Sequence, residues 1–109
     1  MAPTRAAQLR KGVLELAILA LLDSTESYGG EIVTMLADTP GLEASAGTVY
    51  PLLTRLRTAK LVETTWVESP SGPPRKYYRL TPAGRAELAA GAQAWRQLAH
   101  ALDTLLEER

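Results

Sequence analysis

At Leu61 the spacing of apolar residues changes from a helical repeat to alternation, and after Leu80 it changes back. Strands and helices need different periods, so this double switch divides the chain more firmly than any single motif. "VETTWV" and "KYYRL" are rich in β-branched and aromatic residues, and "ESPSGPP" between them reads as a turn or loose loop. The prediction is one β-hairpin with a proline-rich tip, carrying Arg75 and Lys76 at its return.

Before the hairpin the spacing predicts three helices. From Gln8 to Leu22, one stripe holds Leu9, Val13, Leu16, Ala17, Ala20 and Leu21, and a second holds Leu14, Ile18 and Leu22. A helix apolar on most sides is a buried one. Ser27 is a candidate N-cap for a second helix to about Asp38, with Ile32, Met35 and Leu36 inward, stopped by Thr39-Pro40-Gly41. The third lies in "GTVYPLLTRLRTAKLVE". Pro51 suits only a first turn, which places the start at Gly47 or Thr48 with Thr48 as cap. Val49, Leu52, Leu53 and Leu56 face inward; Pro51 and Thr54 face outward, with Thr58, beside Tyr50, Arg57 and Arg55. After the hairpin, Thr81 caps a helix from Pro82 to about Glu107. Leu88, Trp95 and Leu102 recur every seven residues, with Leu98 and Leu105 between them, as in a coiled-coil seam.

This order predicts a mainly α fold with a small β-hairpin wing: a winged helix-turn-helix (residues 1–81) plus a long C-terminal dimerisation helix (residues 82–109), forming one compact unit. At 109 residues a single domain is the expectation. The chain has no cysteine, so no disulfide framework or thiolate metal site is expected, nor any cofactor. No signal-peptide layout is visible, and the apolar run after Lys11 is shorter than the ~20 residues a bilayer requires. A cytoplasmic protein without membrane contact is the expectation.

Catalytic chemistry has little to build on. His100 is the only histidine. No nucleophile–base pair, metal-ligand spacing or phosphate-cradling glycine loop is present, so an enzyme is not expected. Formal net charge is zero, from 12 Lys and Arg against 12 Asp and Glu, but the charges are segregated. Asp23, Glu26, Glu31, Asp38 and Glu43 separate Arg5, Arg10 and Lys11 from Arg55, Arg57, Lys60, Arg75, Lys76 and Arg79. A protein meets phosphates with one face, so clustering matters more than the sum. In a winged helix the third helix enters the major groove, where hydroxyls and arginines meet base edges while flanking cations bind phosphates. The expected partner is double-stranded DNA. The competing reading is a winged-helix module that binds another protein through the same face and never touches DNA.

"LELAILALL", "SYGGEI", "GTVYPLLTRL", "LVE" and above all "RKYYRLTPAGRAEL" resemble the PadR-type transcriptional regulators in their short form, over nearly the whole chain. The pairing of G-T-x-Y-P-x-L with K-Y-Y-x-L-T-x-x-G is the specific part. The resemblance implies a homodimeric winged-helix repressor that binds a pseudo-palindromic operator. Its last helix would form the interface, through Leu88, Trp95, Leu98, Leu102 and Leu105 with Leu9 and Val13. It places Tyr28, Ser45, Thr48 and Tyr50 at or near DNA and Lys76 on the wing, alongside the candidates Thr54, Arg55, Arg57 and Arg75. It also implies, in some members, release by a small planar aromatic ligand, for which Trp95 is the candidate residue; Trp66 is assigned to core or wing packing. Lys60 departs from the family pattern, which has glycine at the end of the recognition helix. A left-handed backbone there costs a lysine about 1 kcal/mol.

Overall fold

A computed structural model describes residues 12–107. Its elements are α1 (Leu14–Ser24), β1 (Ser27–Tyr28), α2 (Gly29–Ala37), α3 (Ala46–Thr58), β2 (Val62–Ser69), β3 (Gly72–Leu80) and α4 (Pro82–Glu107). The strands form one antiparallel sheet in the order β1-β3-β2. The predicted fold class holds, with four helices among the described residues and the hairpin as a wing.

The core lies where α1, α2 and α3 meet the base of the hairpin. Ile18, Ile32, Val49 and Leu53 are fully enclosed, and Leu19, Leu22, Leu36, Leu56, Val62, Tyr78 and Leu80 close around them. On α1 the buried stripe is Leu14, Ile18 and Leu22; Leu16, Ala17 and Leu21 of the other stripe are only half-buried, and Ala20 is exposed. Leu9 lies outside the described residues.

Three boundaries differ from the sequence reading. Ser27 does not cap α2: it belongs to β1, pairs with Tyr78, and turns its buried hydroxyl back to donate to the Thr25 carbonyl at 3.3 Å. Tyr28 stands at the N-cap instead, its backbone N–H donating to Glu31 Oε1 at 3.1 Å. Secondly, α3 starts at Ala46, before Gly47. The Ser45 carbonyl accepts from the N–H groups of Thr48 and Val49, both at 3.0 Å, and so begins the helix one turn ahead of Val49. Pro51 then sits past the first turn, and the carbonyl it leaves without an intrahelical donor belongs to exposed Gly47, which water can reach.

Thirdly, of the two readings of "ESPSGPP" the turn holds and the loose loop does not, and the strands run further into the stretch than expected. Strand pairing continues to Ser69 opposite Gly72, leaving Pro70 and Ser71 as the tip. The register slips between Val67 and Ser69, where Pro73 and Pro74 together oppose Glu68. Two residues that lack an N–H are accommodated at a bulge, which asks for no ladder donor.

The exit from α3 is built on Lys60, whose φ of 62° is the one positive value among described non-glycine residues. Its N–H donates to the Arg57 carbonyl at 2.9 Å and that of Leu61 to Leu56 at 3.0 Å, the bond pair of a Schellman cap. Thr81 then locks this exit to the start of α4. Its hydroxyl donates to the Lys60 carbonyl at 2.7 Å and accepts from the Gly84 N–H at 3.0 Å, while its own N–H donates to the Leu61 carbonyl at 3.1 Å. Gly84 is buried here, and a Cβ on it would overlap the Leu61 carbonyl.

Candidate nucleic-acid interface

Alternation along the hairpin decides which side chains it shows to α3. Val62, Thr64 and Trp66 share one face with their partners Leu80, Tyr78 and Lys76. The face begins in the core and leaves it partway out: Val62 and Leu80 are buried, Thr64 is half-buried, and Trp66 is 65% exposed. Trp66 is therefore not a core residue. It stands in the open with the Lys76 ammonium 5.5 Å from the centre of its ring. The opposite face carries Arg75, whose guanidinium lies 4.4 Å from the Tyr28 ring centre, and Tyr77, edge-on to Tyr28 at 5.5 Å. The Glu63–Arg79 ion pair, at 2.7 Å, continues that face toward the hairpin base.

Between the wing and α3 lies a cleft of about 370 Å³ lined by Tyr28, Gly29, Tyr50, Thr54, Trp66, Arg75, Lys76 and Tyr78. Gly29 is needed for it: any Cβ there would collide with the Tyr50 ring, which lies over the start of α2. Thr54 Oγ1 donates to the Tyr50 carbonyl at 3.2 Å, as a threonine one turn on is able to do, so its methyl and its lone pairs remain at the surface. At the floor, burial pushes the Tyr78 hydroxyl above the ordinary tyrosine range, with neighbouring Tyr50 acting in the same direction and Arg57 against it.

Of the candidate residues, Tyr28, Tyr50, Thr54, Arg75 and Lys76 thus meet in one place, although they come from three separate stretches of chain. Ser45 and Thr48 stand exposed at the start of α3, their hydroxyl oxygens 3.4 Å apart. Arg57 does not line this cleft but an adjoining groove with Lys60, Thr64 and Thr81, near enough for its charge to act on Tyr78. Arg55 is engaged elsewhere, in an ion pair with Glu15 of α1 at 2.5 Å. Trp66, Gly29 and Tyr78 are cleft residues that sequence reasoning missed. The period-two pattern aligned Trp66 with Val62, but gave no sign of where along that face the core ends.

Residues 18–90 match the family described as the transcriptional regulator PadR-like family. The chain belongs to that family. A PadR-like transcriptional regulator from Bacillus cereus is 39% identical, with a TM-score of 0.82 over 91% of this chain and 96% of its own. A PadR family regulator from Eggerthella lenta gives 36% and 0.83 over 94% and 88%. A PadR-like transcription factor from Bacteroides fragilis gives 40% and 0.77 over 91% and 95%. This PadR-like protein is accordingly a transcriptional regulator and not an enzyme.

The regulator's other open surface is α4. Gly84 is its only buried residue, whereas Trp95 is 49% exposed, Leu98 65%, Leu102 51%, Leu105 64% and Leu106 51%. Beside Trp95, an apolar cleft of about 300 Å³ runs between α1 and α4, lined by Val13, Leu16, Ala17, Ala20, Leu42, Leu88, Ala92 and Arg96. Among the described residues no group of His, Cys, Asp and Glu is placed to hold a metal ion, and no helix is long and apolar enough to cross a membrane.

Proposed function

We propose that this regulator binds duplex DNA as a homodimer and represses transcription from a pseudo-palindromic operator. In this reading residues 1–81 form the DNA-reading part and 82–109 the dimerisation helix of one compact unit. The observation that carries it is the cleft between α3 and the wing, where hydroxyls, aromatics and two cations from separate stretches converge. Ser45, Thr48, Tyr50 and Thr54 present α3 to base edges and Tyr28 flanks them. Arg57, Arg75 and Lys76 neutralise phosphates, with Arg55 in a lesser role because Glu15 already holds it. Leu88, Trp95, Leu98, Leu102 and Leu105 meet their symmetry mates, joined by Val13 and Leu9. Exposed leucines at this density mark an association surface. A twofold dimer requires half-sites about 10 base pairs apart, or a multiple of that.

The deciding experiment is a gel shift with the DNA directly upstream of the chain's own coding sequence, across a salt series. Binding should weaken steeply with salt, by about 0.9 in log–log slope for each phosphate neutralised. Absence of any shift, with a protein partner captured through α3 instead, would favour the interaction-module reading.

The cleft beside Trp95 supports a second function for the same dimer: a planar aromatic effector seated there releases the DNA. Its walls are mostly aliphatic, with Trp95 at one side and three alanines leaving room, so stacking and desolvation would hold the guest. Release requires that the effector prefer a dimer whose α3 helices are mis-spaced for the operator, since equal affinity for both forms shifts nothing. A planar dye should quench Trp95 in a Trp66→Phe protein. Unquenched emission leaves Trp95 as packing alone.

A further inference from the structure

Trp66 is the feature that the fold does not account for. A tryptophan buries more apolar area than any other side chain, yet this one is 65% exposed on the wing and contributes nothing to the core. Nor does it lie on α4, where a second copy would cover it. It projects from the same hairpin face as Tyr78, over the cleft beside α3, with its cross-strand partner Lys76 half-buried against it.

We propose that Trp66 and Lys76 act together as a clip for one sugar–phosphate strand of duplex DNA, the ring packing against deoxyribose while the ammonium takes the adjacent phosphate. This rests on the DNA-binding reading above and extends it to a residue that reading does not use. A helix in the major groove and a hairpin at the neighbouring minor groove are separated by one strand of phosphates, so a sugar–phosphate strand is what the cleft between α3 and the wing would receive. Its chemistry suits that occupant. The apolar ring matches the carbon face of a sugar, and cations line the same cleft. The pairing also holds the lysine in place: an ammonium near an indole ring is drawn to the π face and loses rotamer freedom before DNA arrives. A side chain that contacts the backbone carries no sequence information itself, so the clip should strengthen operator and random-sequence binding alike.

The only rival role for the pair is hairpin stability, as a cross-strand contact. Two measurements separate the roles. In a Trp95→Phe protein Trp66 is the sole tryptophan, since the chain has two. Adding duplex DNA from upstream of the coding sequence should change its emission and shield it from acrylamide, and high salt should reverse both. Trp66→Ala should then raise Kd roughly five- to tenfold for operator and random duplex, with the salt slope unchanged because no charge is lost. Lys76→Met should flatten that slope by about 0.9 per protomer. Where a gel shift shows saturated wild-type complex but Trp66 remains as quenchable as in free protein, the clip is refuted and the DNA-binding reading stands. A Trp66→Ala protein that melts earlier yet binds DNA within twofold of wild type likewise reduces the pair to a hairpin contact. If the wild-type protein shifts no duplex at all, both proposals fall together.

Discussion

Helices α3 and α4 each leave one face in the open, but the two faces differ in what water does for them. On α3 the outward residues include Thr48, Tyr50, Thr54, Arg55, Arg57 and Thr58, all polar or carrying a polar tip, and the apolar ones among them, Ala46 and Pro51, are small. Such a face is stable alone, so its charges can wait for a partner without cost. On α4 the outward residues include Trp95, Leu98, Leu102, Leu105 and Leu106. Water does not satisfy that surface, and at about 25 cal/mol per Å² of apolar area each leucine favours whatever covers it. On the function proposed above, the α3 face would bind conditionally, while the α4 face has reason to be covered always. In a regulator that division is useful, because the assembly that reads DNA should persist while the contact with DNA comes and goes.

Substitutions should separate the two faces in order of effect. Leu102→Glu sets a carboxylate into each half of the apolar seam. It should weaken the dimer by on the order of 3 kcal/mol, more than a hundredfold, and light scattering at micromolar protein should register the halved mass. An unchanged mass would mean that α4 is not the interface. Gly84→Ala tests the root of the same helix, since the added methyl must displace the Leu61 carbonyl. A loss of about 2 kcal/mol is expected, seen as a fall of about 10 °C in Tm at fixed protein concentration. On α3, Arg57→Ala should leave mass and Tm unaltered while reducing the salt slope of DNA binding by about 0.9 per protomer. Arg55→Ala should reduce it less, because Glu15 occupies that guanidinium. The smallest effect is a gain: Lys60→Gly relieves the left-handed backbone but adds freedom to the unfolded chain, for a net stabilisation of about 0.5 kcal/mol. Chemical denaturation at matched concentration measures it.

What could be read from the residues in advance follows the range of the interaction concerned. Val49, Leu53 and Leu56 repeat at helical spacing, and Val62 alternates with its neighbours, so their burial was legible from near sequence alone. The exit at Lys60 was only half legible: the family pattern of glycine marks a left-handed position, but a lysine there left open whether that backbone would be kept, and the structure keeps it. Features set by distant residues were not. Strand β1 is two residues long and exists because Ser27 and Tyr28 meet Tyr78 and Tyr77, some fifty residues on. Arg55 looks like any outward arginine of α3 until α1 brings Glu15 beside it. Trp66 sits in a pattern that predicts a half-buried strand, but the hairpin outruns the core before reaching it. A turn within "ESPSGPP" was legible, but its tightness at Pro70 and Ser71 was not, because Pro73 and Pro74 usually signal looser chain and here occupy a bulge.

The Thr81 junction shortens the mechanical path through the molecule. Counted along the backbone, the end of α3 and the start of α4 are separated by the entire wing. Counted through the hydrogen bonds that Thr81 makes to Lys60 and Leu61, they are adjacent, and the buried glycine beneath leaves no slack for one to slide on the other. The wing is therefore a side branch rather than a spacer, free to flex at its tip without loosening the helices at its base. A tilt of α4 would therefore bear on the α3 terminus through these bonds and not by way of the wing. With α4 running 26 residues, or ~39 Å at 1.5 Å per residue, a displacement at its far end pivots about a fulcrum set at the foot of α3.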